Sequence, residues 1–157
     1  MKIATLLFVI REDKVLLAFK RGEPEIGEGK LNAPGGKLEV GETIPECATR
    51  EAWEELRVRV NPVDLEEVAV VTFYAAGTAD FEVHVLRTKT FVGEPHETRS
   101  MRNPCWYPMD GLHELEGDLH DSDLRWMPQA IHGRKFRADV FYEKRGEGFL
   151  DIKFYPY

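Results

Sequence analysis

The stretch from Gly35 to Val58, GGKLEVGETIPECATREAWEELRV, combines a glycine pair, a helix start and a group of glutamates. Thr43 and Glu46 form a capping-box pattern. The proline between them lies in the first turn of the helix, where a missing N–H does no harm. The pattern therefore predicts a helix that begins near Ile44.

This predicted helix carries an apolar face beside an acidic one. At about 100° per residue, Ala48, Ala52 and Leu56 share the apolar face. Like charges four residues apart destabilise a helix by roughly 0.2–0.5 kcal/mol per pair, and negative charge late in a helix opposes its dipole. The acidic face therefore predicts a nearby cation. Its glutamates are Glu51, Glu54 and Glu55.

Two kinds of cation can serve these glutamates. Arg50 precedes them and can orient one carboxylate, but a single guanidinium does not neutralise three. Mg²⁺ or Mn²⁺ prefers oxygen ligands, keeps several waters and is commonly completed by substrate phosphates. Gly35 and Gly36 fit such a site, because glycine lets backbone carbonyls and amides approach a metal or phosphate closely. The alternative is a solvated acidic helix face, and the glycines at fixed distance favour the metal site.

The spacing resembles the signature box of the Nudix hydrolases, which cleave a nucleoside diphosphate linked to another group. Five residues separate Gly36 from Glu42, and seven more separate Glu42 from Arg50. Two positions depart from the family pattern, because Arg57 stands where glycine is usual and Ala52 where a larger aliphatic residue is usual. Neither departure removes an expected metal ligand.

The resemblance implies water attack on phosphorus, assisted by a bound Mg²⁺ or Mn²⁺. It implies that a backbone carbonyl of Gly35 or Gly36 joins the metal ligands and that Arg50 holds the carboxylates in place. Glu42 supports the loop or a second metal, and the glutamate that serves as general base is left open. The catalytic residues implied are Arg50, Glu51, Glu54 and Glu55, and the last three are the implied metal ligands.

Composition limits the partners. A length of 157 residues suits one domain, 1–157, with a fair-sized core. A net charge of −7 and a pI near 5.3 argue against polymeric nucleic acid or a membrane surface, which favour a basic field. A small-molecule nucleotide suits the chain if a metal offsets its phosphates, and monomer and homodimer both stay open. Cys47 and Cys105 offer neither a disulfide framework nor a zinc spacing, so a cytoplasmic location is predicted.

Apolar runs and turns predict many strands around two helices. The second helix is predicted within Ser122–Ile131, starting or kinking near Pro128, and the segment before it, Gly111–Asp123, is predicted to be irregular. An α/β (α+β) sandwich follows, and the Nudix resemblance implies a mixed β-sheet between helices. Loops are predicted at Arg21–Lys30 and Glu94–Asn103, and strands at Ile3–Ile10, Lys14–Phe19, Val68–Tyr74, Phe81–Phe91, Cys105–Met109, Phe136–Tyr142 and Phe149–Tyr155.

Nearly the whole chain resembles one branch of this family, the oxidised-purine nucleoside triphosphate hydrolases, which include the MutT-like 8-oxo-dGTP diphosphatases. By that resemblance Asn32 contacts the edge of the base and Lys20 the sugar or phosphate side. The implied substrate-binding residues are Thr5, Lys20, Asn32, Gly36, Lys37, His120, Asp123 and Trp126. The matching motifs are Val15-Leu16-Leu17 with Lys20, Gly29-Lys30 with Asn32, Val83-His84-Val85, Met101-Arg102, Pro104-Cys105-Trp106 and Trp126 with Pro128.

Departures from the branch fall where the base is chosen. Its stacking tryptophan and aspartate pair correspond here to His120, Ser122 and Asp123, so one carboxylate survives. Its further acidic position corresponds to Ser100, with Glu97 nearby. We expect a purine triphosphate diphosphatase, and three alternatives stay open. They are hydrolysis of unmodified dGTP or GTP, hydrolysis of a dinucleoside polyphosphate or nucleotide sugar, and a non-catalytic nucleotide sensor.

Overall fold

The computed structural model describes residues 1–21 and 29–157. Most of the loop predicted at Arg21–Lys30 lies outside these described residues. Within the described residues, 3₁₀ helices lie at Pro62–Asp64 and Met109–Asp118. The other elements are β1 (Lys2–Arg11), β2 (Lys14–Lys20), β3 (Leu31–Asn32), β4 (Gly35–Lys37), α1 (Ile44–Leu56), β5 (Glu66–Ala75), β6 (Thr78–Thr88), β7 (Met101–Pro108), α2 (Asp123–Ile131), β8 (Phe136–Lys144) and β9 (Glu147–Tyr155).

The strands form one mixed sheet in the order β3-β2-β1-β6-β5-β8-β9, with β4 beside β1 and β7 beside β2. β1 runs parallel to β6, and β5 runs parallel to β8. The remaining pairs are antiparallel. One pair matters for the glycines, because β4 sets Gly35 opposite Leu6 and Gly36 opposite Thr5 of β1.

A helix covers each side of the sheet, so the predicted α/β sandwich is confirmed. On one side α1 buries Ala48, Ala52 and Leu56 against apolar residues of β1, β2 and β6. On the other side α2 buries Trp126 and Met127 among residues of β1, β5, β6 and β8. None of the helices in the described ranges is long and apolar enough to span a lipid bilayer.

The predicted start of α1 is confirmed in detail. Thr43 Oγ1 accepts from the backbone N–H of Glu46 at 3.2 Å, and Glu46 Oε1 accepts from the N–H of Thr43 at 3.0 Å. At the other end Arg57 takes the left-handed conformation, with φ of 59°, which glycine adopts at lower cost. The arginine offsets part of that cost, because its guanidinium donates to the carbonyl of Trp53 at 3.1 Å.

Several predicted boundaries were wrong. The strand predicted from Cys105 begins at Met101 and so takes in the end of the predicted polar loop, whereas β6 ends at Thr88, before Phe91. Most of the segment predicted to be irregular is a 3₁₀ helix. α2 begins at Asp123 and continues through Pro128. Burial of the apolar face of α2 outweighs the one backbone hydrogen bond that proline removes.

Candidate active site

Glu55 is the most enclosed carboxylate of the acidic face, with 5% of its surface exposed. Its Oε1 accepts from the backbone N–H of Gly35 at 2.7 Å, and its Oε2 lies 3.5 Å from Nζ of Lys20. Burial raises the pKa of Glu55, whereas the lysine and the Gly35 amide lower it. A side chain at residue 35 would collide with the carbonyl of Thr5, so glycine lets this amide reach the glutamate.

Glu51 lies beside the second glycine. A Cβ atom on Gly36 would stand 2.5 Å from Glu51 Oε1, closer than real Cβ contacts allow. Burial, with the charge of Glu55 in addition, raises the pKa of Glu51 to about 7 although Arg50 opposes the shift. Glu51 can therefore exchange a proton near neutral pH.

Arg50 binds Glu42 in addition to two carboxylates of the acidic face. It forms a two-point ion pair with Glu42, through Nε at 2.6 Å and Nη2 at 3.0 Å. Hydrogen bonding to Arg50 lowers the pKa of Glu42 to about 2. Nη1 also donates to Glu51 at 2.7 Å and to Glu54 at 3.2 Å. Arg50 therefore ties the loop after β4 to the acidic face of α1.

The carboxylate oxygens of the three glutamates are ligands that a hard divalent cation prefers, but the three side chains do not converge on one point. No three carboxylate, imidazole or thiolate side chains converge closely enough for a metal in residues 1–21 and 29–157. The reason is local, because Glu54 is half exposed and shares Arg50 Nη1 with Glu51. The donors are nevertheless all oxygens, and burial raises the pKa of both Glu51 and Glu55. A divalent cation relieves such a like-charged buried pair, so the donor set fits Mg²⁺ or Mn²⁺.

A cavity of about 160 Å³ opens beside this cluster. Lys20 joins the two regions, because it lines the cavity and contacts Glu55. All eight of the predicted substrate-binding residues line the cavity, namely Thr5, Lys20, Asn32, Gly36, Lys37, His120, Asp123 and Trp126. The hydroxyl of Thr5 lies 3.4 Å from Cys47 Sγ of α1, and Asn32 Oδ1 accepts from the N–H of Ala33 at 2.9 Å.

The cavity is also lined by buried polar groups that have shifted pKa values or lack a hydrogen-bond partner among the described residues. Asp123 is 3% exposed, and burial raises the pKa of its carboxyl to about 7. Its Oδ2 accepts from the backbone N–H of His120 at 3.1 Å. His120 Nε2 is buried and has no hydrogen-bond partner among the described residues, and burial lowers the pKa of the imidazole. The buried indole N–H of Trp126 interacts with the Asp123 carboxyl and lowers its pKa. His120 Nε2 can bond to a ligand that enters the cavity.

Sequence reasoning missed a second group of cavity residues. Phe81 and Val83 alternate along β6, so their common face had a visible signal in the period of two. Asp80 and Arg145 had none, because they are far apart in the chain and meet as a two-point ion pair with both distances at 2.7 Å. The missed group includes Phe73, Tyr74, Asp80, Phe81, Val83, Tyr142 and Arg145.

Comparison with known proteins decides the family. The family profile described as "NUDIX domain" matches residues 1–130 of this chain. The chain belongs to the Nudix hydrolase family. Oxidized purine nucleoside triphosphate hydrolases of Danio rerio and Mus musculus are each 32% identical to it over 136 residues, covering 86% of this chain and 83% of theirs. A crystal structure of a MutT protein from Bacillus halodurans matches with a TM-score of 0.80 and 23% identity, covering 98% of this chain and 97% of that one.

These matches confirm the predicted family resemblance and fold. The Nudix profile ends within α2, at residue 130. The β8–β9 hairpin lies beyond it, yet contributes Tyr142, Arg145 and Gly146 to the cavity. In this Nudix hydrolase the C-terminal hairpin therefore completes part of the cavity wall.

Proposed function

We propose that this Nudix hydrolase converts purine nucleoside triphosphates of the 8-oxo-dGTP or dGTP type into the monophosphate and pyrophosphate. The observation that carries the proposal is the continuity between the cavity and the acidic face, made by Lys20 at 3.5 Å from Glu55. The curated relatives named as oxidized purine nucleoside triphosphate hydrolases support the same substrate class. We further propose that one domain, 1–157, does this work in the cytoplasm, where Cys47 and Cys105 stay reduced.

Glu51, Glu54, Glu55 and a carbonyl of Gly35 or Gly36 would hold Mg²⁺ or Mn²⁺. The bound ion would polarise phosphoryl oxygens and offset charge that develops on them. A carboxylate side chain of the protein would carry out the proton transfer. A carboxylate that the ion leaves uncoordinated would accept the proton of the attacking water, and the choice among the glutamates stays open. Arg50 keeps Glu51 in place by donating to it at 2.7 Å.

The other end of the cavity suits a purine. A carboxylate at Asp123 can accept from the guanine N1–H and exocyclic amine, and the imidazole of His120 can lie against the ring. Asn32 keeps its amide donor for the edge of the base, because its Oδ1 is held by the N–H of Ala33 at 2.9 Å. Attack at the β-phosphorus then leaves the monophosphate beside Lys20 and releases pyrophosphate.

Hydrolysis of unmodified dGTP or GTP is the second candidate, and one contact favours it. Ser122 stands where the related hydrolases carry an aspartate, and its hydroxyl is bonded to Tyr142 at 2.8 Å. Only the oxidised base has an N7–H donor and an O8 acceptor, so one carboxylate fewer leaves less to read that edge. We therefore expect a weaker preference for the oxidised base than the resemblance implies.

Product analysis tests the proposal directly. Purified protein with Mg²⁺ is given 8-oxo-dGTP, dGTP, GTP, dCTP, a dinucleoside polyphosphate and a nucleotide sugar in parallel. We expect pyrophosphate as the first product and the highest kcat/KM with guanine nucleotides. Orthophosphate as the first product, or a nucleotide sugar as the best substrate, would overturn the proposal. Binding of dGTP without hydrolysis would point instead to a nucleotide sensor.

The preference for guanine is tested by Asp123→Ala. A hydrogen bond to a charged group contributes about 1.5–3 kcal/mol, so the dGTP to dCTP ratio of kcat/KM should fall roughly 10- to 150-fold. An unchanged ratio would remove Asp123 from the base site. A native ratio of 8-oxo-dGTP to dGTP near one would assign the chain to general dGTP hydrolysis.

A further inference from the structure

We propose that Tyr142, on the C-terminal hairpin, is a positioning residue that holds the turn His120–Asp123 in the orientation that selects the base. The inference rests on the proposed nucleotide hydrolysis and adds a residue outside the matched Nudix region. Tyr142 reaches the turn through Ser122, which is fully buried.

Two hydrogen bonds join Tyr142 to Ser122. The phenol donates to Ser122 Oγ at 2.8 Å and accepts from the backbone N–H of Ser122 at 3.2 Å. Ser122 is also the N-cap of α2, where a serine hydroxyl usually accepts from the helix backbone, yet here it makes no such bond. The hydroxyl of this N-cap residue is bonded to Tyr142 instead, so the start of α2 is tied to strand β8.

The turn on either side of Ser122 is closed by two further bonds. The N–H of Asp123 donates to the carbonyl of His120 at 3.0 Å, and the N–H of His120 donates to Asp123 Oδ2 at 3.1 Å. Ser122 lies between these bonded residues, so any shift of its backbone moves both. Tyr142 therefore acts on the two cavity groups most directly suited to a purine, without itself having to touch the base.

Tyr142 is well fixed for this role. It lies in β8 opposite Ala75 of β5, and its carbonyl accepts from the N–H of Ala76 at 3.1 Å. Its ring packs against Phe149 of β9 at 5.6 Å between centroids. Because strand pairing fixes the backbone of Tyr142 and Phe149 packs against its ring, the phenol oxygen is an anchor for the turn.

The bonds between Tyr142 and Ser122 should affect a measurable quantity, the pKa of the Asp123 carboxyl. Burial raises the pKa of Asp123 to about 7, and the closed turn maintains that burial. The charged or titratable groups that influence this carboxyl are Asp121, Lys30, His120 and Tyr142. If the phenol is removed, the N–H of Ser122 loses its partner and water must replace it. The carboxyl of Asp123 then becomes more hydrated, and its pKa moves toward the ordinary value.

Kinetics on Tyr142→Phe tests the proposal. The ring and its packing stay while the two bonds are lost, so we expect KM for dGTP to rise roughly two- to tenfold, with little change in kcat or in kcat/KM for dCTP. Tyr155→Phe removes an exposed phenol from β9 that does not line the cavity, and it should leave kcat/KM for both nucleotides unchanged. An equal loss for dGTP and dCTP in Tyr142→Phe would overturn the positioning role.

Ser122→Ala approaches the same contact from the other side. It removes the bond from the phenol to Ser122 Oγ and keeps the bond from the Ser122 N–H to the phenol, so we expect a smaller loss for dGTP than in Tyr142→Phe. The double variant should be less impaired than the product of the two single effects, because both single variants remove the bond to Ser122 Oγ. Losses that multiply independently would contradict a shared anchor.

A measurement without nucleotide separates this inference from the proposed reaction. The side-chain carboxyl of Asp123 is titrated by ¹³C NMR in the unliganded native protein, in Tyr142→Phe and in the control Tyr155→Phe. We expect a lower titration midpoint in Tyr142→Phe alone. An unchanged midpoint would overturn the anchor. A shifted midpoint in a chain that hydrolyses no triphosphate would support the anchor and overturn the proposed substrate.

Discussion

A Cβ atom on Gly36 would lie 2.5 Å from Oε1 of Glu51 and 2.6 Å from its Cδ. The glycine and the glutamate therefore occupy adjoining space, on β4 and α1. Arg50 holds the same Oε1 at 2.7 Å, so the carboxylate cannot withdraw without breaking that bond. Glycine at residue 36 is what allows Glu51 its present orientation.

Gly36→Ala should displace Glu51 while retaining the fold. We expect kcat/KM to fall at least about tenfold, because a catalytic group moved by 1 Å loses much of its effect. Gly35→Ala should instead lower the free energy of unfolding by about 1–3 kcal/mol, because the added Cβ collides with the Thr5 backbone. Gly117→Ala is the control, since a Cβ there meets nothing within 4 Å. Urea unfolding and kcat/KM check both, and full activity in Gly36→Ala would contradict the geometry.

Glu55→Gln should remove activity without unfolding the protein. We expect kcat to fall by about 10²–10⁴-fold, while stability without metal holds or rises, because one of two neighbouring buried negative charges is gone. The native protein should gain thermal stability from Mg²⁺, and the variant should gain less. Glu147→Gln, an exposed neutralisation on β9, should match the native protein in both respects. Retained turnover in Glu55→Gln would refute the metal assignment.

Asp123 should make stability depend on pH. Its pKa is raised in the folded protein from the usual 3.8 to about 7. The protonated carboxyl therefore adds to the free energy of unfolding fully below about pH 3.8, and this stabilisation is lost as the pH rises through 7. Asp123→Asn cannot ionise and should be more stable relative to the native protein at pH 8 than at pH 5, by roughly 1–4 kcal/mol. Urea unfolding at both pH values measures this difference. Asp118→Asn, which changes an exposed carboxyl, should show none.

His120 should act through its aromatic face. His120→Phe keeps an aromatic face and should hold kcat/KM for dGTP within about threefold, whereas His120→Ala should lower it about tenfold. The phenylalanine also replaces Nε2, which is buried without a partner, so His120→Phe should raise the free energy of unfolding by about 1 kcal/mol. Steady-state kinetics and urea unfolding give the two readouts. Native kinetics in His120→Ala would exclude stacking.

Local rules were sufficient for α1 and for the layers of the fold. Thr43 and Glu46 determine where α1 begins, because a capping box involves residues only three apart. The same rules allowed α2 to start at Pro128, and that start was wrong, because burial of α2 against the sheet overrode the preference of proline for the first turn. They also did not predict that Glu42 bonds to Arg50 across the loop between β4 and α1.

The sequence by itself determined the family box, the sandwich of helices and sheet, and the residue types suited to a metal and a phosphate. The family box depends on the spacing of residues within one segment, and the sandwich depends on the pattern of apolar runs along the chain. Both patterns are visible without a structure. Only the tertiary structure decided that Lys20 meets Glu55, that Asp80 meets Arg145 and that Tyr142 holds Ser122. Each of these contacts joins residues at least 20 positions apart, brought together by strand pairing and burial, and no local pattern specifies them. The raised pKa values of Glu51 and Asp123 have the same origin, because burial exists only once the sheet and helices have packed.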